Sequence, residues 1–546
     1  MGQVSIILIA GLVFLFSFDE GLLAILESPD RSSLWVGLAL ALLPGGLAYL
    51  WGRWLSRRAG EVTARRFFLI KRSFLAFELM LLGGFGLTVY LLKLPLAVDD
   101  LLKFIPTPYT RRLFAILPLL AGMLLIRTAQ YEVEKRVRAS EWRRREYLSV
   151  NAKFLLLPVL PLLAYMVVND LIDRSPLRIR LFFIDNPYLY WLVLVLLIVA
   201  LYVKAPQILQ GIWRATPLRD PHLREILADL ARQTGVRCKE IMVWHTGGAR
   251  IANAGVAGLL PWSRKIFLTD CLLENFSPEE IRTIVAHEFG HIKHKHMWIY
   301  LGFSLTYFLA AILYYAYLAP IWKDLLGEGP VMDALSSLIF FYLYFVLIFR
   351  YLSRRLEHQA DIYSVEVTGD PMSFKISLLK LAELNYVPKV LRRIFELTLT
   401  HPSVERRIEM VDRFLAGDPR ALKLRGMLPE VKLALFATSI ALGILLNFGG
   451  PAFESEADLH YMRGVEFHRE KMWDEALKEL DRTISIDPSY REAYLLRGMI
   501  YYEGGSPEKA LKDFEKLHTM VSEGKVKQSL QKLIDEVKKE VKAKSG

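Results

Sequence analysis

Apolar runs of about the length of a membrane span constrain this chain more than any other feature. They lie near residues 3–18, 34–51, 73–95, 112–128, 152–170, 188–204, 298–320, 332–349 and 433–448. Crossing a bilayer takes about 20 consecutive apolar residues, whereas a helix on the surface of a soluble core keeps a polar face. With 53% hydrophobic residues overall, the sequence predicts a mainly α-helical, polytopic membrane protein.

The charges of the loops predict the side of the membrane on which each loop lies. Loop 52–72 holds seven arginine and lysine residues against the single acidic residue Glu61, and loop 130–150 is also rich in basic residues, with Arg143, Arg144 and Arg145. The loops between them are acidic or balanced, with Asp99 and Asp100 in one of them. Because basic loops stay in the cytoplasm, six spans would return the chain to the cytoplasm near residue 205. The net charge of +12 is therefore a topology signal, and no nucleic-acid partner is expected.

The stretch Ser277–His296, SPEEIRTIVAHEFGHIKHKH, is predicted to form one helix. Ser277 suits the capping position, Pro278 suits the first helical position, and Glu280 can close a capping box with Ser277. These signals fix the register of the helix locally. They therefore determine which of its side chains share a face.

On this helix His287 and His291 lie one turn apart, so both imidazoles can reach one ion. Zn2+ suits such a site, because a catalytic zinc has three protein ligands and an open position for water. Zinc acidifies that water, and Glu288 can accept its proton and pass it to the departing amine of a cleaved peptide. His294 and His296 are interpreted as interfacial residues near the bilayer, and a chance histidine cluster is the alternative for the whole motif.

A third metal ligand has to come from elsewhere, and the best candidate lies on the stretch Ser353–Asp370. Glu357 and Asp361 are one helical turn apart there. Glu357 is expected to bind the metal, and Asp361 is expected to orient a metal-bound histidine. The apolar runs at 298–320 and 332–349 form a predicted membrane hairpin that returns the chain to the side of the motif. Taken alone, a solvated charged helix end is the simpler interpretation of this stretch.

Residues 205–297 also contain strand-like segments. Ile241–Trp244 and Lys265–Thr269 have strand character, and Asn253–Leu260 is a more irregular extended segment between them. A helix is predicted before them at Pro221–Thr234. This order predicts a small sheet packed against the helix of the metal motif.

Residues 457–524 repeat with a period of 34, so that Gly464 matches Gly498. The period, with small residues where helices pack closely, predicts two tetratricopeptide repeats that bind protein partners. An unrelated pair of helical hairpins is the alternative. Apolar residues recur every three or four positions over Val526–Val541, which predicts an end helix that covers the last repeat. A basic interaction tail is the other interpretation of this end.

Four segments resemble the integral-membrane zinc peptidases that include HtpX and the CAAX prenyl proteases, with BepA-like relatives that carry repeats. The segments are Asn253, Ala254 and Gly258; HEFGHIKHKH; SRRLEHQAD with its downstream TGDP; and THPSVERRI at 400–408. The resemblance covers about residues 205–415. It implies a zincin-type α+β metallopeptidase domain that holds one zinc ion per chain and hydrolyses polypeptides.

The resemblance also implies roles for particular residues. The two motif histidines and Glu357 would bind zinc, and Glu288 would be the general base. Asn253 and Ala254 would lie on an edge strand that aligns the backbone of the substrate. For Asn253, an ordinary turn asparagine is the alternative.

Two further residues of the catalytic site come from the segment THPSVERRI. His401 is expected near the metal, as a fourth reversible ligand or a transition-state donor. The alternative is a loop histidine that orders the turn before Pro402. Arg407 is expected to pair with Asp361, and an oxyanion role is the alternative.

These observations predict four regions. They are an N-terminal membrane region of about six spans at 1–204, a metallopeptidase domain at 205–430 interrupted by the hairpin at about 298–350, a further span at 431–449, and a tetratricopeptide module with its end helix at 455–546. If 433–448 crosses the membrane, the module lies outside; if it lies in the interface, the module shares the catalytic side.

The expected function is membrane-protein quality control by a zinc endopeptidase of the bacterial inner membrane. Its expected partners are membrane-protein substrates, the lipid bilayer and proteins bound by the repeats. One alternative is a protease that processes a specific peptide or lipoprotein. The other is a non-catalytic scaffold anchored in the membrane, which the presence of both the base and the ligands argues against.

Overall fold

The computed structural model describes most of the chain. The described residues are 7–8, 10–12, 14–15, 31–58, 63–137, 142–156, 159–247, 251–326, 330–389, 401–426, 455–521 and 525–545. The predicted span at 433–448 lies outside them, and so does most of the predicted span at 3–18.

The N-terminal region is a helical bundle. Its helices are α1 (Ser32–Arg58), α2 (Ala64–Tyr90), α3 (Leu94–Leu101), α4 (Pro108–Arg112), α5 (Leu117–Val137), α6 (Arg144–Leu156), α7 (Val159–Asp173), α8 (Leu177–Asp185) and α9 (Pro187–Trp213). Helices α1, α2 and α5 pack around a shared apolar core. Gly52 and Gly122 permit the close approach of α1 and α5, since a Cβ at these positions would collide with the backbone oxygens of Ala129 and Ala41.

Within the described residues, five helices are long and apolar enough to cross a membrane. They are Ser32–Arg57, Arg66–Tyr90, Pro108–Val137, Val195–Trp213 and Leu335–Thr368. They correspond to the runs predicted at 34–51, 73–95, 112–128, 188–204 and 332–349. The run predicted at 152–170 covers parts of α6 and α7, and residues 157–158 between them are outside the described part.

A four-stranded sheet follows α9. Its strands are β1 (Thr216–Pro217), β2 (Glu240–Trp244), β3 (Ala254–Ala257) and β4 (Lys265–Thr269), in the order β1-β2-β4-β3. Strands β2 and β4 are parallel, and β3 pairs with β4 in the antiparallel direction and forms one edge. Helices α10 (Pro221–Thr234) and α11 (Asp270–Asn275) complete this part. The predicted strands and α10 are confirmed, whereas the two-residue β1 was too short to be recognised from its sequence.

The helix of the metal motif, α12 (Pro278–Lys293), begins with the predicted capping box. The Ser277 hydroxyl accepts from the Glu280 N–H, and the Glu280 carboxylate accepts from the Ser277 N–H at 2.9 Å. The prediction that one helix continues to His296 is wrong. Lys295 has a left-handed backbone with φ of 59°, so α12 ends before it and a new helix begins.

The chain then forms two long helical segments and returns to α12. They comprise α13 (His296–Leu313), a π-helical turn at Tyr314–Leu318 and α14 (Ala319–Leu326), and then α15 (Pro330–Phe341), a π-helical segment at Tyr342–Ile348 and α16 (Phe349–Thr368). Helix α16 packs along α12, and a Cβ at Gly290 would lie only 3.0 Å from the Ala360 Cα. Helices α17 (Pro371–Leu384), α18 (Val404–Leu415) and α19 (Pro419–Gly426) pack around α16.

The C-terminal helical module is the part of the chain at 455–545. Its helices are α20 (Glu456–Arg469), α21 (Trp473–Ile486), α22 (Arg491–Glu503), α23 (Pro507–Met520) and α24 (Lys525–Ser545). Gly464 packs against Leu480 in the first helix pair, and Gly498 packs against Phe514 in the second. These contacts join equivalent positions of the 34-residue period. The helix that covers the second pair, predicted over Val526–Val541, is confirmed as α24.

Candidate metal centre

Three buried side chains of α12 and α16 converge on one point. The ligand atoms of His287, His291 and Glu357 all lie within 4.8 Å of one another. The two histidine Nε2 atoms are 3.2 Å apart, and the Glu357 oxygens lie 3.5 Å and 3.6 Å from them. Two ligands on a tetrahedral zinc with bonds of about 2.0–2.1 Å are separated by roughly 3.3 Å. The donor set and its spacing therefore fit a zinc ion.

The carboxylate of Glu357 gives a second test of that fit. Its Oε2 atom is buried and forms no hydrogen bond of ordinary geometry, although His401 Nδ1 lies 2.9 Å away. Buried carboxylate oxygens are normally satisfied by donors or by a cation. A metal at the convergence point would satisfy this oxygen together with both imidazoles.

Asp361 and Arg407 fix the orientation of His287. The Asp361 carboxylate is fully buried and lies 2.9 Å from His287 Nδ1. It also accepts from Arg407 Nε at 2.9 Å and from the other end of the same guanidinium at 2.5 Å. Burial opposes the charge on His287, but hydrogen bonds to Asp361 and Glu357 outweigh it and raise the pKa of His287 to about 9. The Nδ1 proton faces Asp361, so Nε2 is available to a metal.

His291 is held by a different chain of hydrogen bonds, which ends at a backbone carbonyl. Gln359 Nε2 donates to the Arg425 carbonyl at 3.1 Å, so Gln359 Oε1 faces His296 and accepts from its Nε2 at 3.0 Å. Burial lowers the pKa of His296 to about 4, so this ring is neutral and its Nδ1 carries a lone pair. That Nδ1 accepts from His291 Nδ1 at 2.8 Å. The chain therefore leaves His291 Nε2 unprotonated for a metal.

This arrangement corrects the interpretation of His296 as an interfacial residue. Its side chain is fully buried between α12 and α16. The left-handed Lys295 ends α12 and turns the next helix so that His296 points back towards His291. His294 is partly buried and stacks against His296, with ring centroids 5.8 Å apart.

Glu288 lies on α12 next to His287 and is also buried. Burial raises its pKa, while the positive charges of His287, His401 and Arg407 act in the opposite direction. A carboxylate whose pKa is raised towards neutrality is suited to take up and release a proton. This arrangement can hold a proton beside the point where the three ligands converge.

His401 lies at the mouth of the site. Its side chain is 64% exposed, and its Nδ1 contacts Glu357. The negative charge of Glu357 raises the pKa of His401. The ring can therefore act as a donor towards groups that enter from the exposed side.

Asn253 and Ala254 lie at the start of the edge strand β3, which packs against α12. The Asn253 N–H donates to Thr269 Oγ1 at 3.0 Å, and the Asn253 carbonyl accepts from the Thr269 N–H at 3.0 Å. Ala254 is the next residue of the antiparallel ladder and stands opposite Leu268. Bonding alternates along such a ladder, so the N–H and carbonyl of Ala254 point away from β4, towards the open edge.

Known proteins resemble the part of the chain that contains this site. Residues 217–414 match the model of Peptidase family M48. The "Protease HtpX homolog 2" of Methanosarcina acetivorans is 26% identical over 221 residues, which cover 35% of this chain and 72% of the relative. The "Protease HtpX homolog" of Persephonella marina is 30% identical over 168 residues, which cover 30% and 56% respectively. The crystal structure of S. mikatae Ste24p aligns with a TM-score of 0.45 and 18% identity, over 71% of this chain and 100% of that chain.

Proposed function

Because residues 217–414 match the model of Peptidase family M48 and are joined to helices long and apolar enough to cross a membrane, we propose that this protein is a zinc-dependent endopeptidase of the membrane surface. The observation that carries the proposal is the convergence of His287, His291 and Glu357 at zinc-ligand spacing. When bound, zinc supplies Lewis-acid chemistry, which lowers the pKa of water and polarises the scissile carbonyl.

Side chains of the protein carry out proton transfer, orientation of a zinc ligand and stabilisation of negative charge. Glu288 takes a proton from the attacking water and delivers it to the nitrogen of the departing amine. Asp361 holds His287 in its ligand orientation, and Arg407 holds Asp361. The negative charge of Glu357 raises the pKa of His401, which favours the protonated ring, and His401 donates to the oxygen that becomes negative during attack.

The edge strand β3 is the proposed docking site for the substrate backbone. Ala254 directs its N–H and carbonyl away from the sheet, so an extended peptide can pair there as an additional strand. Asn253 fixes the start of this strand through its two bonds to Thr269. Main-chain pairing holds a peptide largely independently of its side chains, which suits an enzyme that acts on many sequences.

We propose membrane-protein quality control as the physiological role, in a bacterial inner membrane, with partners recruited by tetratricopeptide repeats in the C-terminal helical module. The placement of the site supports this role, since α9 leads directly into the sheet and α13 leaves directly from the end of α12. Substrates released from the bilayer therefore meet the site close to its surface. The repeat assignment is supported by the equivalent packing of Gly464 and Gly498.

Substrate trapping with Glu288→Gln tests this role. The variant keeps the proposed ligands but lacks the base, so polypeptides should stay bound to it and be released as fragments by the wild type. Quality control predicts that many unrelated membrane proteins are trapped. A single trapped peptide or lipoprotein would support specific processing, and identical captures by both proteins without fragments would support a scaffold.

A further inference from the structure

We propose that the C-terminal helical module is fixed on the outer face of the membrane, opposite the metal centre, by docking of its first helix α20 on helix α8 of the membrane region. The outer face is defined as the face opposite the basic loops 52–72 and 130–150. This inference goes beyond the proposed function, because it depends on contacts outside the metal centre. It implies that protein partners of the module are engaged outside.

The docking contact is centred on a buried arginine of α8. Arg180 is only 7% exposed. Its Nε donates to Glu466 at 2.6 Å, one Nη donates to Glu470 at 2.5 Å, and the other donates to the Ser175 carbonyl at 2.7 Å. Each of the three guanidinium nitrogens therefore donates a hydrogen bond, and two of these bonds are charge-assisted contacts to the module.

Two ion pairs with the reverse polarity flank this arginine, because in them the arginine lies on the module and the aspartate lies on the membrane region. Arg463 on α20 donates to Asp185 at the end of α8 at 2.8 Å, and Arg469 donates to Asp173 at the end of α7 at 2.6 Å. Basic and acidic residues thus occur on both sides of the contact and match in register. This reciprocal pattern selects one orientation of α20 on α8, because a shift would bring like charges together.

The 34-residue period shows which position α8 occupies. Arg497 is the equivalent of Arg463 one period later, and it donates to Asp481 on α21, the helix that precedes its own, at 2.5 Å. Asp185 takes the corresponding place for Arg463. Helix α8 therefore packs against α20 in the position that α21 takes against α22. A repeat array needs a cap on its first repeat, and the membrane region supplies that cap.

Helix α9 separates this dock from the metallopeptidase domain. It spans 27 residues, which corresponds to about 40 Å and exceeds the hydrocarbon core of about 30 Å. Its segment Val195–Trp213 is apolar enough to cross, and Leu192 and Leu196 are exposed as expected for lipid contact. Helix α8 ends just before α9, and β1 begins just after it. The dock and the sheet are therefore at opposite ends of a spanning helix.

The basic loops contact the metallopeptidase domain. The ring of Phe67 packs against Tyr386, with centroids 5.6 Å apart, and the Trp142 indole donates to the Thr246 carbonyl. Both contacts join the predicted cytoplasmic loops to residues of the metallopeptidase domain. Because basic loops remain in the cytoplasm, the metal centre lies on the cytoplasmic side.

The predicted loop that contains Asp99 and Asp100 lies in the layer beneath the module. Arg174 Nε donates to the Pro106 carbonyl at 3.0 Å, and Asp170 accepts from the Tyr109 and Thr110 N–H groups at 3.0 Å and 2.9 Å. These bonds join the segment before α8 to α4 and to the loop between α3 and α4, close in sequence to Asp99 and Asp100 at the end of α3. The module thus docks on a layer that both the charge rule and the length of α9 assign to the outer face.

Labelling of single cysteines in cells tests the sidedness. In full-length protein with Cys238→Ser and Cys271→Ser, Lys478→Cys places a thiol on the module, and Ala228→Cys places one on α10; both positions are exposed. A membrane-impermeant maleimide should label Lys478→Cys in intact spheroplasts and Ala228→Cys only after permeabilisation. Any other pattern, including protection of both thiols until permeabilisation, would overturn the proposal.

Hydrogen exchange of the full-length protein tests the dock itself. Arg180→Ala should raise amide exchange in peptides from 456–469 by about tenfold or more, since it removes both charge-assisted bonds that hold α20 on α8. Arg178→Ala is the matched control on the same helix, where the side chain is exposed, and should leave exchange unchanged.

A pair of variants that swaps the charges of Arg463 and Asp185 separates loss of the dock from a general folding defect. Arg463→Asp should raise exchange in the same peptides, and the addition of Asp185→Arg should restore protection. Unchanged exchange in Arg180→Ala, or no rescue by the double variant, would refute the capping role of α8. Neither result would bear on the peptidase mechanism, whose residues lie elsewhere.

Discussion

Replacement of Asp361 by asparagine is expected to weaken zinc binding by about 10–100-fold, although no ligand is changed. Asp361 is fully buried, lies 2.9 Å from His287 Nδ1 and holds Arg407 through two bonds. Asparagine keeps the shape of the side chain but loses its charge. It therefore makes His287 a weaker ligand and leaves the guanidinium of Arg407 beside the site without its counter-charge.

The expected loss corresponds to about 1.4–2.7 kcal/mol of binding free energy. The free energy of unfolding of the metal-free domain should fall by more, about 3–5 kcal/mol, because one partner of a buried ion pair has been removed. Competition of the purified protein with a chromophoric zinc chelator at fixed pH measures the affinity.

Glu409→Gln is the matched control for this experiment. It makes the same carboxylate-to-amide change on the helix that carries Arg407, but it removes only the exposed ion pair of Glu409 with Arg413. Such a pair contributes at most about 1 kcal/mol, so zinc affinity should stay within about twofold. Wild-type zinc affinity in Asp361→Asn would refute the orienting role assigned to this carboxylate.

Three further predictions concern the edge strand, the second histidine and pH. Ala254→Pro removes an outward N–H, so KM for a peptide should rise by up to about tenfold with unchanged zinc content; an unchanged KM would exclude pairing there. His296→Ala removes the acceptor for His291 Nδ1 and should lower zinc affinity by about 10–100-fold in the chelator assay, and unaltered affinity would contradict the hydrogen-bond chain. The pKa of His287 is raised to about 9. In the metal-free protein, protonated His287 therefore contributes its full share to the free energy of unfolding below about pH 6.5, and this contribution is lost as the pH rises through 9. Zinc must displace that proton, so its affinity should rise about tenfold per pH unit between 6.5 and 9, and a flat profile would contradict the assignment.

The features that the sequence predicted correctly depend on short-range signals. The capping box of Ser277 and Glu280 sets the start of α12, and the strand segments carry their own β-branched and aromatic patterns. Glu357 was located through the family resemblance and through the expected return of the membrane hairpin. The M48 match confirms that resemblance and the prediction of a metalloprotease.

The role of His296 could not be predicted, because it depends on one backbone conformation. Lysine is an ordinary helix former, so nothing in the sequence marks Lys295 as the left-handed residue that ends α12. A continuous helix would carry His296 away from His291. The buried partner Gln359 lies on another helix, so only tertiary packing reveals the hydrogen-bond chain.

The dock between α8 and α20 was missed for a similar reason. Arg180 occurs in a short polar segment between apolar runs, where a basic residue has no distinctive meaning. Its partners Glu466 and Glu470 occur far along the chain, in a pattern that also fits an exposed helix face. Folding brings these groups together, and the match of Arg463 with Arg497 becomes informative only once their aspartate partners are known.

The most direct test of the proposed mechanism measures zinc content and peptide cleavage in the same preparation of Glu288→Gln. The account predicts that zinc stays at about one ion per chain, since the ligands are intact. Cleavage of an unfolded polypeptide should fall by about 10²–10⁴-fold, since the general base is missing. Near wild-type cleavage by the zinc-loaded variant would contradict the account.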